Sequence, residues 1–293
     1  MTENPFRSVS SRGSVALIDL VETKTAEAGR AFIDRTTQVA EAAGGRVAVN
    51  TEATTPMILP NEREPEADRA IRSLIVTQYP TRKAGEAALA DRKSGSGEFS
   101  SEEIRTFAAR PVDRVESWFG RTLPYTLGLL VGRAVPEIGD GEELEALIEK
   151  ALILGEQPDK DRWQELAERA GNRPIWMLNF LEFNKTAVYE DGAGGLSRAA
   201  PVSGARAYRS YGQGMISCLA SVGGRVGWSG YVLGQLSGRD DGTWHQVAIA
   251  VYPSPAAMLT MLSLPRYRAA HVHRAAALSR TRLLATRKEE GAK

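Results

Sequence analysis

Two stretches of the chain nearly repeat each other: "EAAGGRVAV" at 41–49 and "ASVGGRVGW" at 220–228. Extended upstream without a gap, the match sets Arg30 on Arg209, Phe32 on Tyr211, Thr36 on Met215, Val39 on Cys218 and Ala43 on Val222. A repeat of this kind has to be read before anything else, because it organises the whole fold. In the later copy Tyr208, Tyr211, Met215, Leu219 and Val222 fall at helical spacing, which predicts an amphipathic helix. The earlier copy places Phe32, Thr36, Val39 and Ala43 on the matching face. The Gly-Gly pair then ends each helix, since glycine accepts the left-handed geometry of a C-terminal cap.

Upstream of each helix lies an apolar run that reads as a buried strand, "VALIDLVE" at 15–22 and "IWMLNFLEF" at 175–183. Each carries one small polar residue near its middle, Asp19 and Asn179, and a glutamate three places later, Glu22 and Glu182. Downstream of Gly-Gly each copy predicts a strand, a polar turn and a second strand ending in Tyr-Pro: "RSLIVTQYP" at 72–80 and "HQVAIAVYP" at 245–253. The turn "SGRDDGTW" is a hairpin signal; the first copy has a longer one through "PNEREPEADR". After the second Tyr-Pro, Ser254 and Pro255 suit the cap and first position of a helix. Further helix follows, with "SSEEIRTFAARPVD" (100–113) taken as its first-copy counterpart, and closing apolar stretches at "VESWFG" and "RLLAT". The order is β-α-β-β-α-β, twice.

That order is the split ferredoxin-like unit, a four-stranded antiparallel sheet with helices on one face. The bare face of each sheet must be buried. The expected fold class is therefore α+β: two tandem ferredoxin-like units, sheet to sheet, forming one pseudo-dimeric α+β barrel. The expected boundaries are a diverged first unit at 13–119, a helical connector at 120–172 and a second unit at 173–287. The connector reads as amphipathic helices in "LPYTLGLLVGRA", "DGEELEALIEKALIL" and "DKDRWQELAERAG". Residues 184–204 form a glycine-rich loop long enough to act as a lid.

Composition narrows the function. Among 293 residues, Lys+Arg 37 balances Asp+Glu 36, which argues against a nucleic-acid partner, because phosphate backbones reward a basic surplus. One cysteine, Cys218, excludes an internal disulfide and a multi-cysteine zinc site, and its apolar helical neighbours suit a buried, inert thiol. The start "MTENPFRSVSSRGS" has no apolar signal core, and "YTLGLLVGRAV" is too short and too interrupted for a membrane span. A cytoplasmic protein with no membrane partner is expected. No phosphate loop, dinucleotide fingerprint or nucleophile elbow is present.

The second copy resembles a known family. "MLNFLEF", "GARAYRSYGQG", "GGRVGWSGYVLGQLSG" and "WHQVAIAVYPSPAAMLTMLSLPRYRAAHVHRAAAL" are similar to the bacterial family called domain of unknown function thirteen-thirty, of the dimeric α+β-barrel superfamily. The resemblance covers roughly residues 174–287. Residues 13–119 look like a diverged copy without the Pro-Arg-Tyr helix or the histidines. The resemblance implies the fold and an apolar ligand cavity between sheet and helices. It implies no single chemistry, since the superfamily includes cofactor-free oxygenases, isomerases and cyclases as well as haem enzymes.

Two of the three histidines lie in "RYRAAHVHRAAAL", Arg266 to Leu278. On a helix, positions two apart do not share a face, so His271 and His273 cannot clamp one metal together, and no metal site is expected. The stripe Tyr267, Ala270, His271, Arg274 and Leu278 is read as the inward one, with the stripe of Ala269, Val272, His273 and Ala276 nearly as good, and His273 is read as a surface residue. The candidate catalytic residues are His271 as acid or base, with Arg274 and Asn179 holding an oxyanion or carbonyl. Tyr208, Tyr211, Trp228, Tyr231, Tyr252 and Tyr267 are the candidate substrate-binding aromatics.

Three readings follow. The first is a small-molecule enzyme without a tightly bound cofactor, doing acid–base chemistry on a small apolar or aromatic molecule in the second unit. The second is a haem protein with His271 or His273 as axial ligand. The third is a non-catalytic ligand carrier or assembly module, with a homodimer as a candidate assembly.

Overall fold

The Gly-Gly repeat does the same mechanical work twice. In the computed structural model, which describes residues 4–23, 25–57, 71–94, 103–112, 141–153, 158–189, 201–240 and 242–288, helix α1 (Ala26–Ala42) and helix α5 (Gly204–Ser221) end just before it. Gly44 and Gly223 take φ of 70° and 76°, the left-handed region in which a β-carbon is penalised. The next glycine closes the cap: Gly45 N–H donates to Ala40 O at 2.7 Å and Gly224 N–H to Leu219 O at 2.8 Å, the six-to-one bond of a Schellman motif. At the other end, Thr25 and Ser203 accept from the backbone of Ala28 and Arg206.

The strands are β1 (Val15–Val21), β2 (Arg46–Met57), β3 (Ser73–Tyr79), β4 (Ile104–Pro111), β5 (Ile175–Phe183), β6 (Arg225–Ser237), β7 (Gln246–Tyr252) and β8 (Leu278–Lys288). They form one closed barrel in the order β1-β3-β2-β8-β5-β7-β6-β4, with every pairing antiparallel. Within it stand two split units, β4-β1-β3-β2 and β8-β5-β7-β6, joined where β2 meets β8 and β4 meets β6. Both sheet edges are thereby paired, which removes the exposed-edge problem, and a single chain closes the barrel. The expected fold class is the one observed.

Two details of the first unit differ from the sequence reading. "IRTFAARP", expected within a helix, is strand β4, so the closing strand of that unit is Ile104–Pro111 and not "VESWFG", which lies outside the described residues. The helix of that position is α2 (Arg82–Ser94). The reason is burial on both faces. Seven of the eight β4 residues are buried, so the alternation that marks a half-exposed strand is erased, and Ile104, Phe107, Ala108 and Pro111 mimic a helical period. The buried stripe of α1 is also rotated by one position, with Gly29, Ile33, Thr36, Val39 and Ala40 inward and Phe32 half-buried.

Three apolar layers result. Ile18, Leu74, Val76, Phe107, Leu178, Phe180, Trp228 and Trp244 fill the barrel interior. Phe107 and Phe180 meet there at 5.2 Å and Phe180 and Trp244 at 5.5 Å, so the barrel is packed rather than hollow. A second layer lies between the first sheet and its helices, with Phe6, Val15, Leu17 and Tyr79. The third lies between the second sheet and α5, α6 (Pro255–Ser263) and α7 (Pro265–Ala277). The connector joins this third layer: Ile148 of α3 (Gly141–Leu152) and Trp163 of α4 (Lys160–Ala170) are fully buried in it beside Met57 of β2. The expected helix in "LPYTLGLLVGRA" and the turn through "PNEREPEADR" lie outside the described residues.

Candidate functional site in the second unit

Strand parity decides what faces the helices. On β5, Ile175, Met177 and Asn179 point to the helical layer while Leu178 and Phe180 enter the barrel. A cavity of about 80 Å³ opens in that layer. Its floor is Met177 and Asn179 of β5, Ala248, Ala250 and Tyr252 of β7, Val226 of β6 and Leu283 of β8. Its roof is Tyr208, Tyr211 and Met215 of α5, Met258 and Leu262 of α6, and Tyr267 and Arg274 of α7. Helices α5 and α7 approach closely because Gly214 has no side chain; a β-carbon there would stand 2.8 Å from Cβ of Ala270.

Six of the nine residues singled out from the sequence thus meet at one place: Asn179, Arg274, Tyr208, Tyr211, Tyr252 and Tyr267. The methionines and the small Ala248 and Ala250 were not anticipated. For Met177, Ala248 and Ala250 the signal was the period-2 alternation of β5 and β7, carried on from Asn179 and Tyr252. Trp228 and Tyr231 lie elsewhere. A β-bulge between Val226 and Trp228 reverses the alternation, so Val226 lines the cavity and Trp228 turns into the barrel. The first copy bulges at the same place, between Val47 and Val49, and Val49 also turns inward. Tyr231 is half-buried on β6 with the Arg110 guanidinium 5.1 Å from its ring centre.

The roof is a run of aromatic contacts. Tyr208 and Tyr211 lie 5.3 Å apart, Tyr211 and Tyr267 6.1 Å, and Tyr267 and His271 5.8 Å between ring centres. The Tyr211 and Tyr267 hydroxyls are 3.3 Å apart, at hydrogen-bond distance. The Tyr252 hydroxyl donates to Met261 Sδ at 3.8 Å. Burial raises all four phenols, Tyr267 to about 12 and Tyr208, Tyr211 and Tyr252 beyond the usual range, while the charge of Arg274 pulls each the other way. They are neutral hydrogen-bonding groups at physiological pH.

Arg274 is 8% exposed and donates through Nη2 to Thr281 Oγ1 at 3.3 Å. A buried guanidinium keeps its charge, so it is the strongest fixed charge on the wall. His271 lies on the same helix stripe, as expected, and is buried, yet it does not line the cavity. Its Nε2 has no hydrogen-bond partner among the described residues. Burial first, and Arg274 second, lower its pKa to about 4, so the ring is neutral near pH 7. His273 is half-buried rather than on the surface, with Nδ1 2.8 Å from the Tyr189 hydroxyl. His245 accepts from Phe183 N–H at 2.9 Å and stacks on that ring. Cys218 is buried, and burial raises its thiol pKa.

Of the loop at 184–204, residues 190–200 lie outside the described ones. Its two ends are tied together, with Gly204 N–H donating to Asn184 O and Ala187 N–H to Val202 O. Among the described residues no group of three or more His, Cys, Asp or Glu could hold a metal ion, and no helix is long and apolar enough to cross a membrane.

Two βαββαβ units that close one barrel, with a cavity between a sheet and its helices, define the architecture. The chain is a pseudo-dimeric α+β barrel made from one polypeptide. It is similar to a protein of unknown function from Rhodopseudomonas palustris, at 33% identity over 46% of this chain and 97% of that one, with a TM-score of 0.40. An anthrone oxidase-like protein matches at 13% identity over 94% of this chain and 92% of that one, TM-score 0.46. A chlorite dismutase from Candidatus Nitrospira defluvii matches at 9% over 95% and 92%, TM-score 0.37. No family model and no curated protein matches the chain. At identities of 13% and 9% no chemistry carries across from the latter two.

Proposed function

We propose that the protein is a small-molecule enzyme working without a tightly bound cofactor, by acid–base and electrostatic chemistry in the second-unit cavity. One observation carries the reading: a buried guanidinium, Arg274, set with the Asn179 amide in a wall otherwise made of tyrosine, methionine and aliphatic side chains. Few polar groups converging on an apolar cavity is the usual make-up of a ligand site. Arg274 is the group to hold negative charge developing on a substrate oxygen, with Asn179 lining the same cavity. The tyrosines shape the apolar part and offer neutral hydroxyls. His271 takes a positioning role through Tyr267: with a pKa of about 4 it is no acid at neutral pH and a weak base.

The haem reading fits these residues poorly. Neither His271 nor His273 lines the cavity. At about 80 Å³ the cavity is smaller than the roughly 150 Å³ void that accepts benzene, far below a macrocycle. The resemblance of the second unit to the thirteen-thirty family, drawn from its motifs, adds no chemistry of its own. A non-catalytic carrier would share the same cavity, and only turnover separates it from the enzyme.

Filling the cavity tests the site. Ala250 lies on its floor, and Ala250→Phe should occupy the space without removing a polar group. The expected result is loss of stabilisation by any fragment-sized compound that raises the melting temperature of the wild type, with an unchanged circular dichroism spectrum and a packing cost of about 1–3 kcal/mol. Unchanged ligand response in the variant would place the site elsewhere.

A further inference from the structure

The two units can be compared residue by residue, because the strand register aligns them. Val15 stands opposite Tyr79 in the first and Ile175 opposite Tyr252 in the second. Counting from that anchor, Asp19 corresponds to Asn179. Thr77, opposite Leu17, corresponds to Ala250, opposite Met177. Thr106, opposite Asp19, corresponds to Leu283, opposite Asn179. Arg92 lies thirteen residues after Tyr79, and the residue thirteen after Tyr252 is Pro265.

In the first unit the central acceptor is fully supplied with donors. Asp19, fully buried, accepts from Arg92 Nη1 at 3.1 and 2.8 Å through its two oxygens and from Thr106 Oγ1 at 2.7 Å. Arg92 Nη2 donates to Thr77 Oγ1 at 3.2 Å. In the second unit Asn179 keeps an acceptor oxygen at that place, but the side chains of Leu283 and Pro265 have no donor to offer it. Ala250 leaves space where Thr77 stands in the first unit, and Asn179, Ala250 and Leu283 all line the cavity.

The neighbours of the Asn179 amide fix which end faces that space. Its Nδ2 donates to Met177 O at 3.1 Å and to Ala248 O at 3.4 Å. The reversed amide would press Oδ1 against two carbonyl oxygens, acceptor on acceptor. Oδ1 is therefore the end left over, and among the described residues nothing donates to it. It is not sealed in the interior either, because Asn179 is half-buried and lines the cavity. Across the cavity, Tyr208 makes ring contacts with Phe183 and Tyr211, and its hydroxyl has no hydrogen-bond partner among the described residues.

We propose that the second-unit cavity binds a short-chain alcohol, whose hydroxyl donates to Asn179 Oδ1 and accepts from the Tyr208 hydroxyl. This rests on the reading of that cavity as the functional site and names its ligand class. An acceptor without a donor, set in a largely apolar wall, favours a ligand that brings the donor, because any other occupant takes away its hydration and returns nothing. A hydroxyl donates and accepts through one atom, which suits two polar groups in a small space. Met177, Met258 and Leu262 supply apolar surface for the carbon chain, and a volume of about 80 Å³ limits that chain to a few atoms.

The test uses the full chain, labelled with carbon-13 at the methionine methyls, and two probes of nearly one shape, propan-2-ol and acetone. Both carry an oxygen that accepts, and only the alcohol donates. Followed through the Met177, Met215 and Met258 signals, propan-2-ol should bind at least about fivefold more tightly, the worth of one hydrogen bond. Asn179→Leu, similar in size and without the acceptor, should bring the two affinities together. Equal binding to the wild type, or tighter binding of acetone, would overturn the alcohol assignment while leaving the cavity as the site. Methyl signals that respond to neither probe would also overturn it, and the Ala250→Phe comparison decides separately whether the cavity is the site. An alcohol preference that persists in folded Asn179→Leu protein would contradict the proposal; if that variant fails to fold, the wild-type ratio decides alone.

Discussion

Asp19→Ala should destabilise the protein by about 3–5 kcal/mol, the cost of removing one member of a buried ion pair. The size follows from what is left behind. Asp19 is fully buried between β1 and α2 and makes both oxygens available to Arg92. Without it the guanidinium has lost its counter-charge in an environment that cannot solvate it. In thermal unfolding this corresponds to a fall on the order of 10 °C for a chain of this size. The double variant Asp19→Leu with Arg92→Met should recover most of the loss, because the penalty belongs to the unmatched charge and not to the pair. Asn179→Ala, the same position in the second unit, should cost about 1 kcal/mol, since its amide only donates to the Met177 and Ala248 carbonyls. Equal costs at 19 and 179 would mean that the two units do not differ as described.

Trp163→Ala should cost a similar amount, about 3–5 kcal/mol, the usual range for emptying a buried tryptophan site. Trp163 is fully buried and packs with Ile148, Met57 and the α6 side chains. Its helix is capped by Asp159, which accepts from Arg162 N–H at 2.9 Å. A connector that merely tethers two units would lose under about 1 kcal/mol, as surface changes do. Trp163→Phe should be mild, because the indole Nε1 has no hydrogen-bond partner among the described residues to forfeit and the phenyl keeps most of the packing.

What the sequence revealed, and what it hid, follows from which physical signals survive in one dimension. The Gly-Gly cap is a local requirement, and its repeat gave away the two-unit architecture. The inward stripe Tyr267, His271, Arg274 was legible because α7 has one buried and one wetter face. Strand β4 was not, since a strand buried on both faces shows no alternation. Trp228 was misplaced because a bulge reverses parity without changing composition. The cavity itself is absence of volume: Ala248 and Ala250 carry no chemical flag, and only the register shows that Ala250 stands where Thr77 helps fill the first unit. The same holds for His271, whose place behind the wall depends on a few ångströms of helix rotation.

Methionine methyls give the most direct reading of where a ligand sits. Met177, Met215 and Met258 all line the second-unit cavity. In protein labelled with carbon-13 at the methionine methyls, titration with a small compound that raises the melting temperature of the wild type should move those three signals together, in a saturable way. In the Ala250→Phe protein the same titration should move none of them. Binding of that compound that leaves all three methyl signals in place would contradict the central claim that this cavity is the functional site.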